Sequence, residues 1–261
     1  MDHPPALLRD RLLKEGYTDS AIQAAMGENY PSAEQAMQEC KDFVALTKPR
    51  LVLEAEDLGA QVVNDQQMQL YVIPGFLEPE LCQALVEICR EHAKPSSTEL
   101  DTRSTYRTSS TSPLYRHMGK PVAIANQRIT KTLGLNLSYA EPLQGQIYGT
   151  QQEYKTHSDY QPQATLNQLR QSFNRSGQRT WTFMVYLNKP RKGGHTEFPG
   201  IGEKIEPEIG KAVVWNNLKP NGNPNPYTEH RGCPVEKGSK IILTKWFRAE
   251  GFGPVFNTPE S

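Results

Sequence analysis

Cysteine is scarce: there are four in 261 residues, Cys40, Cys82, Cys89 and Cys233. They form no CxxC pair and no zinc-finger spacing, which argues against a disulfide scaffold and a zinc ribbon. Reduced thiols in a cytosolic protein are the simplest expectation. A charge excess of one sign is also missing. The 29 basic and 29 acidic side chains cancel, so nothing marks a nucleic-acid partner or an anionic membrane. No apolar run approaches the roughly 18 residues that a spanning helix needs; the strongest stretch is the short one from Phe183 to Leu187. The opening Met1-Asp2-His3-Pro4-Pro5 has no basic segment leading into an apolar one. The expectation is a cytoplasmic chain without a membrane segment. No internal repeat and no low-complexity tract is found.

What is present divides by period. Residues 6–45 carry apolar positions at helical spacing, in three short segments broken at Gly16-Tyr17 and at Gly27 to Ser32. Residues 1–46 are therefore read as a small helical segment, similar to a ubiquitin-associated bundle and able to meet a protein partner; the simpler reading is a helical extension. Residues 47–67 read as a linker. A strand is expected at Leu70 to Ile73, and a helix opens at Glu78-Pro79-Glu80, with proline in its first turn. Residues 95–113 read as a loop or irregular hairpin, and Pro121 to Leu133 as an amphipathic helix. Beyond residue 143 the pattern turns to short strands: Gln146 to Tyr148, Trp181 to Leu187, one ending at Trp215, and Lys240 to Phe247. This succession predicts an α+β fold, with a sandwich or roll of strands flanked by helices.

The chemistry centres on His157-Ser158-Asp159. On a strand, residues i and i+2 share a face, so an imidazole and a carboxylate converge without special backbone. Alone the triplet is common. Joined by His230, it supplies two histidines and one carboxylate, the ligand set of a non-haem Fe(II) site with coordination positions left open. Lys240, in a later β run, could hold an anionic cosubstrate.

These residues lie in a longer pattern. Arg107-Thr108-Ser109-Ser110 is similar to an RTSSG stretch, with Thr111 where glycine is usual. Tyr148-Gly149, Tyr154, His157 and Asp159 fit Y-G-x(4)-Y-x-x-H-x-D. Gly177-Gln178-Arg179, Thr182 and Tyr186-Leu187 fit G-Q-R-x-x-T-x-x-x-Y-L. Gly193-Gly194 with Thr196, Phe198 and Pro199 fits G-G-x-T-x-F-P. His230, Cys233-Pro234-Val235, Gly238, Lys240 and Lys245-Trp246 complete it. From about Tyr71 to Phe247 the chain resembles the 2-oxoglutarate- and Fe(II)-dependent prolyl 4-hydroxylases.

The resemblance implies a double-stranded β-helix (jelly-roll) core over residues 68–250, followed by a tail at 251–261. It implies Fe(II) on His157, Asp159 and His230, with Lys240 pairing the distal carboxylate of 2-oxoglutarate and Thr182 near it. Tyr148 would donate to the cosubstrate. Arg179 and Trp246 would line a peptide site that Tyr154 borders, and Arg107 would lie in a loop closing over substrate. The implied activity uses O2 to hydroxylate a C–H bond, C4 of peptidyl-proline first among them, with release of succinate and CO2 and ascorbate as reductant. The alternatives are hydroxylation of another amino-acid or protein side chain, and a non-catalytic module binding proline-rich peptides. A halogenase would need a small residue where Asp159 stands. His195 is read as a non-ligand, and Tyr154 and Trp246 have core packing as their simpler reading.

Overall fold

The computed structural model describes residues 52–96, 106–115, 118–135, 137–161 and 177–250. The chain enters through α1 (Ala55–Leu58), β1 (Gln61–Asn64) and β2 (Leu70–Ile73), then α2 (Pro79–Glu91). Next come β3 (Lys94–Pro95), β4 (Ser110–Leu114), α3 (Lys120–Leu133), β5 (Leu143–Tyr148) and β6 (Tyr154–His157). The second half is strand after strand: β7 (Arg179–Tyr186), β8 (Lys192–Gly193), β9 (Thr196–Phe198), β10 (Glu203–Ile205) and β11 (Ala212–Asn216), then β12 (His230–Gly232), β13 (Val235–Lys237) and β14 (Lys240–Arg248). Local signals account for the helix ends. Pro79 opens α2, where its missing N–H costs nothing. Gly134 closes α3 with φ 62°, a left-handed turn that only glycine takes without strain.

Eight strands form the large sheet in the order β1-β2-β11-β7-β14-β5-β4-β3, and four form a smaller sheet, β10-β9-β12-β6. All pairings are antiparallel. This is a jelly-roll core. Period-two alternation sorts the large sheet's two faces. Phe183, Val185, Val214, Ile241, Leu243 and Phe247 pack with Leu85, Cys89, Val122, Ile129 and Leu133 of the helices. Met184, Tyr186, Val213, Trp215 and Ile242 face Phe198 and Ile205 of the smaller sheet. Both faces are covered, which is why β7 and β14 read as nearly unbroken apolar runs. Gly145 lets α2 approach β5 closely, since a Cβ there would lie 2.3 Å from Cys89 Sγ.

The linker reading of residues 47–67 does not hold over 52–67. That stretch carries α1 and the sheet-edge strand β1, which pairs with β2. Leu53 is fully buried. Its carbonyl accepts from Gln69 Nε2 at 2.7 Å and from Tyr71 Oη at 2.8 Å. The polar composition misled because an edge strand pairs on one side only and needs little apolar content. The segment 95–113, read as a loop or irregular hairpin, begins and ends in the antiparallel pairing of β3 with β4, and β4 pairs in turn with β5. The helical segment at 1–46, the tail at 251–261, and residues 162–176 of the region after Asp159 lie outside the described residues. Among the described residues no helix is long and apolar enough to cross a membrane. Cys82, Cys89 and Cys233 are free and buried.

Candidate active site

A partly open cleft lies between the two sheets. Lys240, Ile242, Thr244 and Trp246 of β14, alternate residues on one face, line it. Across the cleft, β6 ends at His157 and β12 begins at His230. These two histidines are direct antiparallel partners, so the register brings together residues 73 apart in the chain. Asp159 lies two residues beyond the end of β6. His157, Asp159 and His230 each offer a ligand atom, all within 4.8 Å of one another. His157 Nε2 lies 4.0 Å from Asp159 Oδ1, and His230 Nε2 lies 4.0 Å from Asp159 Oδ2.

The second ring nitrogens decide how this group can act. His157 Nδ1 bonds Lys155 O at 2.8 Å, and His230 Nδ1 bonds Thr228 O at 2.9 Å. A carbonyl only accepts, so each Nδ1 carries the proton and each Nε2 presents a lone pair toward Asp159. Burial, with the His230 ring next, presses the His157 imidazole down to about 3, so it is neutral at pH 7. Burial works against the Asp159 carboxylate, yet the group is held below its ordinary range; the permanently charged neighbour facing it is Arg179. Two imidazole lone pairs and one ionised carboxylate fit Fe(II), with a face left open for other ligands. Lys240 supplies the second requirement. It is 1% exposed, its Nζ sits 4.5 Å above the Tyr148 ring, and no carboxylate among the described residues pairs with it. A buried ammonium facing the same cleft as the triad fits a ligand carboxylate.

Residues 143–248 match the family model of the 2OG-Fe(II) oxygenase superfamily. Over that segment the chain is similar to the superfamily. It is 33% identical over 190 residues to the chicken (Gallus gallus) prolyl 4-hydroxylase subunit alpha-2, covering 73% of this chain and 33% of that one. It is 29% identical over 200 residues to a putative prolyl 4-hydroxylase of Acanthamoeba polyphaga mimivirus, covering 76% of this chain and 81% of the viral one. The chain thus spans about a third of the length of the animal subunit. In fold it is similar to the viral collagen prolyl hydroxylase of Paramecium Bursaria Chlorella virus-1, solved with 2OG. That likeness has a TM-score of 0.55 at 24% identity, over 69% of this chain and 95% of that one.

The other residues singled out in the sequence take varied places. Thr182, expected near the cosubstrate's distal carboxylate, donates its hydroxyl to Asp159 Oδ2 at 2.8 Å. The reason is its position on the cleft face of β7, directly across from Trp215 and Trp246. The Tyr148 hydroxyl, expected to donate to the cosubstrate, donates to Gln146 Oε1 at 2.7 Å, while its ring lies under Lys240. Tyr154 lines the cleft and stacks on His157, ring centres 3.5 Å apart. Arg107 sits 5.0 Å above the Tyr154 ring and donates to Ser109 Oγ and Thr111 Oγ1. Arg179 lies 4.1 Å over the Trp246 ring and forks onto both oxygens of Glu141, at 2.6 and 2.8 Å. Trp246 lines the cleft, its buried indole N–H without a hydrogen-bond partner among the described residues.

Three contributors escaped the sequence reading. Asn217 Nδ2 donates to Thr182 Oγ1 at 2.8 Å, and Trp215 Nε1 donates to Asn217 Oδ1 at 3.0 Å. This relay, Trp215 to Asn217 to Thr182 to Asp159, fixes the carboxylate from behind. Glu141 receives Arg248 as well as Arg179, at 2.6 Å. No spacing rule connects Glu141 to residues 38 and 107 positions away; only the sheet register does.

Proposed function

We propose that this chain is a 2-oxoglutarate- and Fe(II)-dependent dioxygenase that hydroxylates C4 of peptidyl-proline and releases succinate and CO2. The observation that carries the reading is the convergence, on a single cleft, of three ligand atoms and one buried lysine with no carboxylate partner among the described residues. His157, Asp159 and His230 would hold the iron. Iron with 2-oxoglutarate and O2 would supply the oxidising power for an unactivated C–H bond, and ascorbate would serve as reductant.

The chain's own residues do the positioning. The Nδ1–H bonds to Lys155 O and Thr228 O keep both imidazoles in one tautomer. The Thr182 hydroxyl keeps the Asp159 carboxylate in one rotamer. Lys240 offers its ammonium to the distal carboxylate of the cosubstrate, and Tyr148 shapes the wall beneath it. Met184, Trp215 and Ile242 present apolar surface that keeps water out of the cleft. The cleft-lining rings of Trp246 and Tyr154, each backed by an arginine (Arg179 and Arg107), would offer flat surfaces to an extended peptide carrying a ring. The relatives named prolyl 4-hydroxylases support proline as that ring.

The test is succinate release from 2-oxoglutarate with Fe(II), with and without a proline-rich peptide, followed by mass spectrometry of the peptide. Peptide-dependent succinate and the gain of one oxygen atom on proline are expected. Binding of the peptide without turnover would overturn the reading. His157→Ala is expected to abolish turnover while the far-ultraviolet circular dichroism stays native; unchanged activity would refute the metal assignment.

A further inference from the structure

A second group of metal-binding side chains lies outside the triad. His195, Glu197 and Cys233 each offer a ligand atom, all within 4.8 Å of one another. His195 Nε2 is 3.8 Å from Glu197 Oε2, and Cys233 Sγ is 3.4 Å from the same oxygen. Those separations are no longer than the 4.0 Å spacings of the triad. They approach the edge of a zinc tetrahedron, roughly 3.3–3.6 Å for bonds of the usual lengths to N, O and S. We propose that His195, Glu197 and Cys233 form a second metal site that binds zinc.

The backbone builds this group independently of the first. Glu197 is the middle residue of β9; its neighbours Thr196 and Phe198 turn inward and Thr196 lines the cleft, so Glu197 turns away from it. His195, two residues before Glu197, shares that face. Cys233 follows β12, the neighbour of β9, and Cys233 N donates to His195 O at 2.9 Å. Two adjacent segments locked by the sheet therefore carry all three ligands, and little chain entropy remains to be lost on binding. Cys233 is buried while His195 and Glu197 are half-buried, which leaves one side for a water as fourth ligand. Thiolate, imidazole and carboxylate together favour zinc over the harder magnesium or calcium. Binding forms an S–Zn bond and releases the thiol proton to solvent.

Arg231 is the competing cation. It donates to Glu197 Oε2 through Nε at 3.0 Å and Nη2 at 2.7 Å. The metal must share or displace that contact, so the arginine sets the affinity of the site.

The experiment uses the full-length chain, reduced and stripped of metal, in a His157→Ala/Asp159→Ala background that disables the first site. Titration with Zn2+ is expected to give one ion per chain in that background and two in the unsubstituted chain. Co2+ is expected to give a near-ultraviolet thiolate-to-cobalt band. Cys233→Ser should remove the band, and His195→Ala, a change at a half-exposed position, should weaken Zn2+ binding about tenfold or more. Arg231→Gln should tighten it by on the order of tenfold. One ion in the unsubstituted chain and none in the background, or a band that survives Cys233→Ser, would overturn the proposal. No readout depends on turnover, so its failure is distinct from failure of the oxygenase reading.

Discussion

Single side chains decide how this cleft would hold its ligands. Thr182 touches Asp159 through one hydroxyl, itself held by Asn217. Thr182→Val keeps the shape and removes the bond, and is expected to weaken Fe(II) affinity about 10- to 100-fold. Metal titration of the variant checks this; an unchanged dissociation constant would leave Thr182 a packing residue only. Lys240 gives a pH test. Burial lowers its ammonium to about 8, so the cosubstrate-free protein holds the charged form below that pH and loses it above. A carboxylate binds the charged form. Affinity for 2-oxoglutarate is therefore expected to be level below pH 8 and to fall toward about tenfold per pH unit above it. Lys240→Met should flatten that profile and raise KM for 2-oxoglutarate by about 2–4 kcal/mol, on the order of 30- to 1,000-fold. A profile in the variant identical to that of the unsubstituted chain would remove Lys240 from the role.

At the scale of elements, the edge of the large sheet is the instructive part. β1 is exposed along its first residues, yet the segment leading into it buries Leu53 and Leu58 against the helix-side core. Because Leu53 is fully buried, Leu53→Ala is expected to cost about 2–5 kcal/mol, the range for truncating a core leucine. Denaturant unfolding measures it; a loss below about 0.5 kcal/mol would mean that residues 52–67 are only appended to the sheet. The central strands obey a stricter rule. β14 must present Lys240, Ile242, Thr244 and Trp246 to the cleft and Ile241, Leu243 and Phe247 to the helices. A one-residue slip would exchange the two sets and take Lys240 out of the site. Lys245, on the helix face, meets this constraint by donating to Asn126 Oδ1 of α3 at 2.7 Å.

Over the whole molecule, ligand binding and folding are linked. The triad draws on β6, the bend that follows it, and β12, and Lys240 adds β14, so the site exists only when both sheets are assembled. Ligands that bind only the folded chain raise its stability, by about 2.7 kcal/mol at a concentration a hundred times the dissociation constant. For a domain of this size that corresponds to a rise in Tm of roughly 5–10 °C with Fe(II) and 2-oxoglutarate, measured under nitrogen by thermal denaturation. In His157→Ala the rise is expected to vanish. A rise of equal size in the variant would show that the stabilising ligands bind elsewhere.

The strands and helices that carry long apolar periods were legible before any coordinates, as were the chemistry-bearing residues. β2 falls at Leu70–Ile73 and α3 at Lys120–Leu133, within one residue of the sequence expectation. His157 and Asp159 were legible as a His-x-Asp pair, although only His157 stands on a strand and Asp159 lies in the bend beyond it, so a shared strand face is not what brings them together. The hydrogen-bond partners of Thr182 and Tyr148, the hold of Glu141 on two arginines, and the place of residues 52–67 at a sheet edge were not legible. Each depends on which residue of a distant strand stands opposite, and that is settled by register and by the packing of two sheets against each other. Local composition carries the identity of the donors and acceptors; it carries no measure of the distance between them.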